Sequence, residues 1–450
     1  MNRIVKTQKG NIEGVEEKGY VVFKGIPYAK APVGELRWKA PQEMDAWKGT
    51  YKADTFPNMC IQELPKAGHP FMGRFHKEFY NNPEFVPGMG EDCLYLNIWM
   101  PEHKEGEKLP VAFWIHGGGF SGGYGSELEF DGEAFCKKRV ILVTINYRVN
   151  IFGFFAHPWL DAENERHISG NYGILDQIAA LKWVHNNIEN FGGDNKNITV
   201  FGQSAGSMST QVLCSSKLTE DIPAKAILQS GISCEEEILA TPTLKEEEKI
   251  GEEFVTLTGK NSLEELREMS AEEIFEVECK LTEVLFESGR GLMLVPNVDG
   301  YLLEKTVKQI WKDIEMKDIP YMCGAVTDDL GAKPEDVKTD KPGILLEECK
   351  RWASVREKAG MPAYLYHFAR RLPGDDWGAF HSSELWYTFG TLGRCWRPMT
   401  EHDYELSEEM VTCWTNFMKT GNPNGDGQAL QKKDNWESYT KEYPYVKVFK

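Results

Sequence analysis

Apolar positions change their period several times along the chain, and each change marks an element. Between Ile174 and Phe191 they fall at 174, 178, 181, 184, 188 and 191, steps of three and four that line one face of a helix. β-Branched and aromatic runs at Val111 to Ile115, Val140 to Tyr147 and Ile198 to Phe201 predict buried strands. Ala224 to Gln229, Leu294 to Tyr301, Pro320 to Val326, Ala363 to Phe368 and Tyr445 to Phe449 read the same way. Strands alternating with helices predict an α/β fold with a large, mostly parallel central sheet flanked by helices.

At the N-terminus, Arg3 to Thr7 and Tyr20 to Lys24, punctuated by Gly10, Gly14 and Gly19, predict small antiparallel hairpins in a peripheral sheet. Gly34 to Met89 reads as a long ordered loop, too rich in Phe, Tyr and Met to lie free. Glu91 to Trp99 alternates into a strand. The acidic stretch Glu235 to Glu287 predicts helices lying over the sheet, a cover segment at 235–290 inside one domain spanning 1–450. An apolar-periodic helix runs through Met410, Trp414 and Phe417.

Chemistry enters at Phe191 to Gly206, FGGDNKNITVFGQSAG. The strand at Ile198 to Phe201 meets Gly202-Gln203-Ser204-Ala205-Gly206, a G-x-S-x-G pattern, and Ala205 to Cys214 continues as a helix. A turn that sharp strains the serine backbone and exposes its hydroxyl, and side chains two residues either side would collide. Ser204 is the candidate nucleophile. Upstream, Val111 to Ile115 runs into His116-Gly117-Gly118-Gly119-Phe120, whose glycines can aim adjacent N–H groups at one point, as an oxyanion hole requires.

Composition narrows the function classes. Hydrophobic residues at 41% and charged ones at 27% are globular values, and a formal charge of −18 argues against nucleic acid and an anionic membrane surface as partners. No apolar run approaches the length of a membrane span, and the start, MNRIVKTQKGNIEG, has no signal-peptide core, so a cytoplasmic protein is expected. Ten cysteines are scattered without C-x-x-C or a His pair at ligand spacing; neither a metal nor another cofactor is expected. The oligomeric state is not legible.

A serine hydroxyl needs a base, and the base needs a carboxylate to fix its tautomer. Among the downstream histidines, His367 lies inside a strand as a packed residue and His402 in the charged run EHDYE, whereas His381 follows a strand in a loop. For the acid, Asp328 and Asp329 both follow the strand at Tyr321 to Val326.

With these residues in view the chain resembles the type-B carboxylesterases, the family of cholinesterases and bacterial p-nitrobenzyl esterases. The nucleophile signature matches from Phe191 to Gly206, and a second signature matches from Glu91 to Pro101. Asn146-Tyr147-Arg148, Gly170 to Gln177, Gly378 to Leu385 and Trp414 to Phe417 look like further family blocks. The resemblance implies an α/β-hydrolase fold with a reduced helical cover, and hydrolysis of small or aryl carboxylic esters through an acyl-enzyme. It assigns Ser204 as nucleophile, His381 as base, Asp329 as acid, and the N–H groups of Gly118, Gly119 and Ala205 as oxyanion donors. It also implies structural ion pairs Arg37 with Glu91 and Arg148 with Asp176, and a Cys60 to Cys93 pair expected to be reduced in a cytosolic setting.

The sequence departs from the family in four places. The acid turn reads Thr327-Asp328-Asp329-Leu330-Gly331, with Asp where Glu is usual, so the turn or the His381 loop must move inward. Gln203 replaces the usual Glu before the serine. The Cys60 to Cys93 loop lacks tryptophan. The span from acid to histidine is short, implying a trimmed cover and a more open pocket. Trp377, Phe380, Trp386 and Phe389, with Phe120 beside the glycines, suggest an apolar acyl or alcohol pocket, although each taken singly reads as core rather than pocket wall. Alternatives are a non-catalytic interaction domain and a lipase acting on longer-chain esters.

Overall fold

The computed structural model describes residues 3–69, 72–234, 241–330, 343–425 and 435–450 of the 450-residue chain. Its strands are β1 (Ile4–Lys6), β2 (Asn11–Glu13), β3 (Val15–Glu17), β4 (Tyr20–Pro27), β5 (Thr50–Lys52), β6 (Tyr95–Pro101) and β7 (Leu109–Ile115). They continue as β8 (Ile141–Ile145), β9 (Gly193–Gln203), β10 (Pro223–Gln229), β11 (Tyr321–Val326), β12 (Tyr364–Phe368) and β13 (Lys447–Phe449). Ten of them form one sheet in the order β13-β12-β11-β10-β9-β7-β8-β6-β4-β3, parallel from β13 to β8 and antiparallel from β6 outward.

β7 shows why the sheet is central. All seven of its residues are buried, as a parallel strand covered on both faces must be. Its alternate side chains go to opposite cores. Val111, Phe113 and Ile115 pack with Ile174, Ile178, Leu181 and Val184 of the helix Tyr172–Asn187, the face expected from its periodicity. Ala112 and Trp114 join Phe201, Trp386, Phe389 and the helix Glu401–Thr420. Each large apolar side chain fully buried there contributes about 1.5–3 kcal/mol.

The N-terminal hairpins are only partly peripheral. β1 and β2 pair antiparallel, and β5 joins β2 in parallel to make a small separate sheet. β3 and β4 instead extend the main sheet, because β4 (YVVFKGIP) is apolar enough to bury most of its length against β6. The strand expected at Leu294 to Tyr301 does not form; Thr243 and Val298 make one isolated bridge. Leu294 takes φ +62°, Pro296 has no N–H to give, and Asp299 Oδ1 accepts from the N–H groups of Tyr301 and Leu302 at 2.9 and 2.7 Å. Those local bonds compete with a ladder.

Residues 235–240 of the expected cover lie outside the described residues, as does Gly331. The remainder is helical, at Leu244–Thr258, Leu263–Glu268 and Ala271–Glu287. Capping boxes start the first and third, Thr243 with Glu246 and Ser270 with Glu273. The cover does not lie directly on the strands. It rests on the segment after the short helix Asn150–Phe154: Phe254 meets Phe155 edge-on at 5.3 Å, and a side chain at Gly251 would stand 1.8 Å from Ala156 O. Among the described residues no helix is long and apolar enough to cross a membrane.

The two ion pairs are formed. Arg37 bonds Glu91 through Nε and Nη2, both at 2.6 Å, and Arg148 bonds Asp176 through the same two nitrogens, both at 2.7 Å. Arg148 and Asp176 are 2% and 0% exposed, so removing either strands its partner's charge in the core. Asp176→Ala is expected to lose about 3–5 kcal/mol in urea unfolding. A loss below about 1 kcal/mol, the size of a surface pair, would contradict this role.

Candidate active site

β9 ends at Gln203 and the helix Ala205–Ser215 begins at Ala205, so Ser204 alone makes the reversal, with φ +56° and ψ −127°. A non-glycine residue held there carries about 1–3 kcal/mol of strain. The neighbours leave it no alternative. A Cβ at Gly202 would stand 2.4 Å from Gly206 O, and one at Gly206 would stand 2.0 Å from Ile115 O. Ser204 N–H donates to Gln229 O at 2.9 Å, which ties the turn to β10.

His381 and the acid arrive on adjacent loops. β11 and β12 are paired, and beyond them Asp328 and Phe380 form a parallel bridge. Asp328 N–H donates to Ala379 O at 2.9 Å, and Ala379 N–H donates to Asp328 Oδ2 at 2.7 Å. Gly378 permits this contact, since a Cβ there would fall 1.9 Å from Asp328 Oδ2. The clamp ties the two loops together, and Asp329 Oδ1 lies 2.5 Å from His381 Nδ1. Val326 N–H at 3.1 Å and Leu330 N–H at 2.9 Å also donate to the Asp329 carboxylate. Asp329, not Asp328, thus faces the imidazole.

The other histidines stand elsewhere. His367 is buried in β12 with Nε2 2.8 Å from Thr327 Oγ1, and His402 Nε2 lies 2.9 Å from Lys450 O.

The glycine run folds beside the serine. A Cβ at Gly117 would stand 3.1 Å from Ser204 Cβ. Gly118 O accepts from Ser121 and Gly122 N–H at 3.0 and 3.1 Å, while the N–H groups of Gly118 and Gly119 meet no protein acceptor among the described residues. Ala205 opens its helix, so its N–H has no intrahelical acceptor either. His116 braces the run: Nδ1 is 2.8 Å from Gly117 O, and its ring stacks on Tyr147 at 4.3 Å. Burial holds that imidazole neutral, its pKa lowered to about 4. Gln62, from the long loop, accepts from Gly123 N–H at 2.6 Å.

Gln203, visible in the sequence as a departure from the family, and Glu384, which had no role there, also stand near the histidine. Gln203 Nε2 lies 3.2 Å from His381 Nε2 and 3.5 Å from Nδ1, so the carboxamide sits against the ring without serving one nitrogen alone. Glu384 is fully buried three residues after His381, with Oε1 3.5 Å from Gln229 Nε2 and Oε2 without a partner among the described residues. Its position in the turn after the histidine was the available signal. Ser204 Oγ makes no hydrogen bond among the described residues, and catalytic bonds of this kind often tighten only when substrate arrives.

The expected aromatic pocket is not where the histidine loop suggested. Phe380, Trp386 and Phe389 are core residues, at most 1% exposed, and Trp377 stacks on Phe380 at 3.8 Å. Phe120 lines only a small void of about 30 Å³. A cavity of about 400 Å³ opens beside Gly118 and Gly122, walled by Leu64, Pro65, Phe275 and Leu292 together with Glu63 and Glu278. Neither Ser204 nor His381 lines it; the glycine run joins it to them.

The chain matches the Carboxylesterase family profile over residues 1–344 and 343–449. It is 32% identical to the para-nitrobenzyl esterase of Bacillus subtilis, covering 98% of this chain and 93% of that protein. It is 39% identical to the fumonisin B1 esterase of Sphingopyxis macrogoltabida over 72% of this chain, a match spanning 55% of that relative. A thermophilic PNB esterase structure superposes with a TM-score of 0.83 at 29% identity, covering 100% of this chain and 96% of that one.

Burial first, and then the Asp329 charge, push the Glu384 carboxyl up to about 7. The folded state therefore keeps a proton that the unfolded chain loses near pH 4.5, and the stabilisation present below that value is lost as pH rises to about 7. Relative to Glu384→Gln, the wild type is expected to lose on the order of 1–3 kcal/mol between about pH 5 and pH 8, read by urea unfolding. A difference that does not vary with pH would show the carboxyl already ionised at the lower value.

Proposed function

The chain belongs to the carboxylesterase family and is a carboxylic-ester hydrolase, and we propose that Ser204, His381 and Asp329 carry the reaction through an acyl-enzyme. The observation that carries this assignment is the 2.5 Å contact between Asp329 and His381 Nδ1 on the loops beside a strained serine. With Nδ1–H donating to the carboxylate, Nε2 presents its lone pair and can take the Ser204 proton. Oγ attacks the ester carbonyl, and the oxygen that gains charge is met by N–H of Gly118, Gly119 and Ala205. His381 then returns the proton to the departing alcohol. Water repeats the sequence on the acyl-enzyme with His381 as base and the serine as leaving group.

Among the described residues the N–H groups of Gly118 and Gly119 meet no protein acceptor and that of Ala205 has none within its helix, which leaves them open to the developing charge. Losing one such donor costs about 10²–10³ in rate. The substrates proposed are small or aryl carboxylic esters, supported by a cavity of about 400 Å³ with largely apolar walls. A cytoplasmic setting belongs to the same reading, and there Cys60 and Cys93, buried against each other, would stay reduced.

Turnover of p-nitrophenyl acetate decides the roles. Ser204→Ala is expected to abolish it, and Asp329→Asn to lower kcat by on the order of 10³–10⁴ with the fold intact. Asp328→Asn is expected to cost less, because it loosens the loop clamp without removing the carboxylate on the imidazole. Full turnover by Ser204→Ala, or a larger loss at Asp328 than at Asp329, would overturn the assignment.

A further inference from the structure

Glu278, on the helix Ala271–Glu287, is only 6% exposed yet lines the cavity of about 400 Å³ beside the glycine run. Its Oε1 accepts from the Thr282 hydroxyl at 3.0 Å, while Oε2 meets no protein donor among the described residues and is not sealed from the cavity. The groups facing it from other elements are Glu63, Lys66 and His69 of the loop and Tyr80; Cys279 and Glu283 share its own helix. Lys66, the ammonium among these, is already held by Glu63 at 2.6 Å. Burial, and then the Glu63 charge, push the Glu278 carboxyl up to about 7.

A buried carboxylate without a cation is costly, and folded proteins pair or protonate such groups. Here the vacant direction is a cavity, so above about pH 7, where the carboxylate forms, a cation among what fills it can supply the counter-charge. The cavity also reaches the chemistry: Gly118 is in its wall, and Leu292, another wall residue, would stand 3.2 Å from a Cβ at Gly119. An ester whose carbonyl oxygen sits at those N–H groups therefore has one arm directed toward Glu278. Gln203, in place of the usual Glu, weakens the case for a cation beside the nucleophile itself, so the carboxylate that could select one is Glu278, out along that arm.

We propose that Glu278 is a specificity-determining residue that selects esters bearing an alkylammonium group on the arm filling this cavity. The proposal rests on the Ser204 site being the ester-hydrolysing centre, and its test reads binding apart from turnover. The paired probes are n-hexylammonium and n-hexanol, similar in length and apolar surface and different in charge. In calorimetric titrations at about pH 8, Glu278→Gln is expected to bind n-hexylammonium at least about tenfold more weakly than the wild type, the scale of a charge-assisted bond, with n-hexanol unchanged. On the wild type alone, n-hexylammonium is expected to tighten from about pH 6 to pH 8 as the carboxylate forms, with n-hexanol flat, so the test stands even where the variant misfolds. Competitive inhibition of p-nitrophenyl acetate turnover by n-hexylammonium is expected as well. Equal loss of both probes in the variant, a flat pH response, or non-competitive inhibition would overturn the proposal. A failure of Ser204→Ala to lose activity would instead remove the hydrolytic centre and leave the binding result standing.

Discussion

The carbonyl of Ile115 and the main chain around Gly202 and Gly206 approach so closely that no side chain fits between them, and this contact fixes the position of Ser204. The turn cannot relax because β9 is buried at its tip and the elbow helix begins at once. The cost in backbone strain is small beside the stability of a sheet whose central strands are buried on both faces. That sheet is what lets a local strain persist. The same crowding brings Gly117 against the serine, so one packing event places the proposed nucleophile beside the glycine run proposed to supply the oxyanion donors.

A second constraint concerns reach. Asp has one methylene less than the Glu usual in the family, yet its carboxylate reaches the imidazole, on loops whose backbones are tied together. Asp328 lends its carboxylate to Ala379 N–H and its main chain to Phe380, while Gly378 gives up the space a side chain would fill. The two adjacent acids thus divide the work, one holding the loops together and the other facing the imidazole. The buried Glu384 nearby is pushed toward its protonated form by burial first and then by the Asp329 charge, which limits how much negative charge gathers around His381.

Much of this was legible in the sequence, for reasons that can be named. The helix face from Ile174 to Phe191 and the parallel strands were readable because burial on one or both sides leaves a periodic or continuous apolar signal. The elbow was readable because steric exclusion demands glycine at fixed offsets. The strand expected at Leu294 to Tyr301 failed because side-chain bonds from Asp299 and the missing N–H of Pro296 outweigh apolar pattern. The pocket walls were misplaced for a related reason. Aromatic residues near a catalytic histidine look alike in sequence whether they face a cavity or a core, and here Trp386 and Phe389 complete the core behind β7. Gln203 stood out in the sequence only as a departure from the family and Glu384 only by its place after the histidine, since what each does depends on which ring and which carboxylate it meets after folding.

Inhibition by a phosphorylating fluorophosphate, followed by a crystal structure of the adduct, tests the central claim most directly, because the tetrahedral phosphorus mimics the shape and charge that the site is built to hold. A single phosphoryl group on Ser204 Oγ is expected, with one phosphoryl oxygen within hydrogen-bond reach of N–H of Gly118, Gly119 and Ala205, and His381 Nε2 turned toward the serine oxygen. A label on any other residue, or a phosphoryl oxygen directed away from the glycine run, would contradict the account.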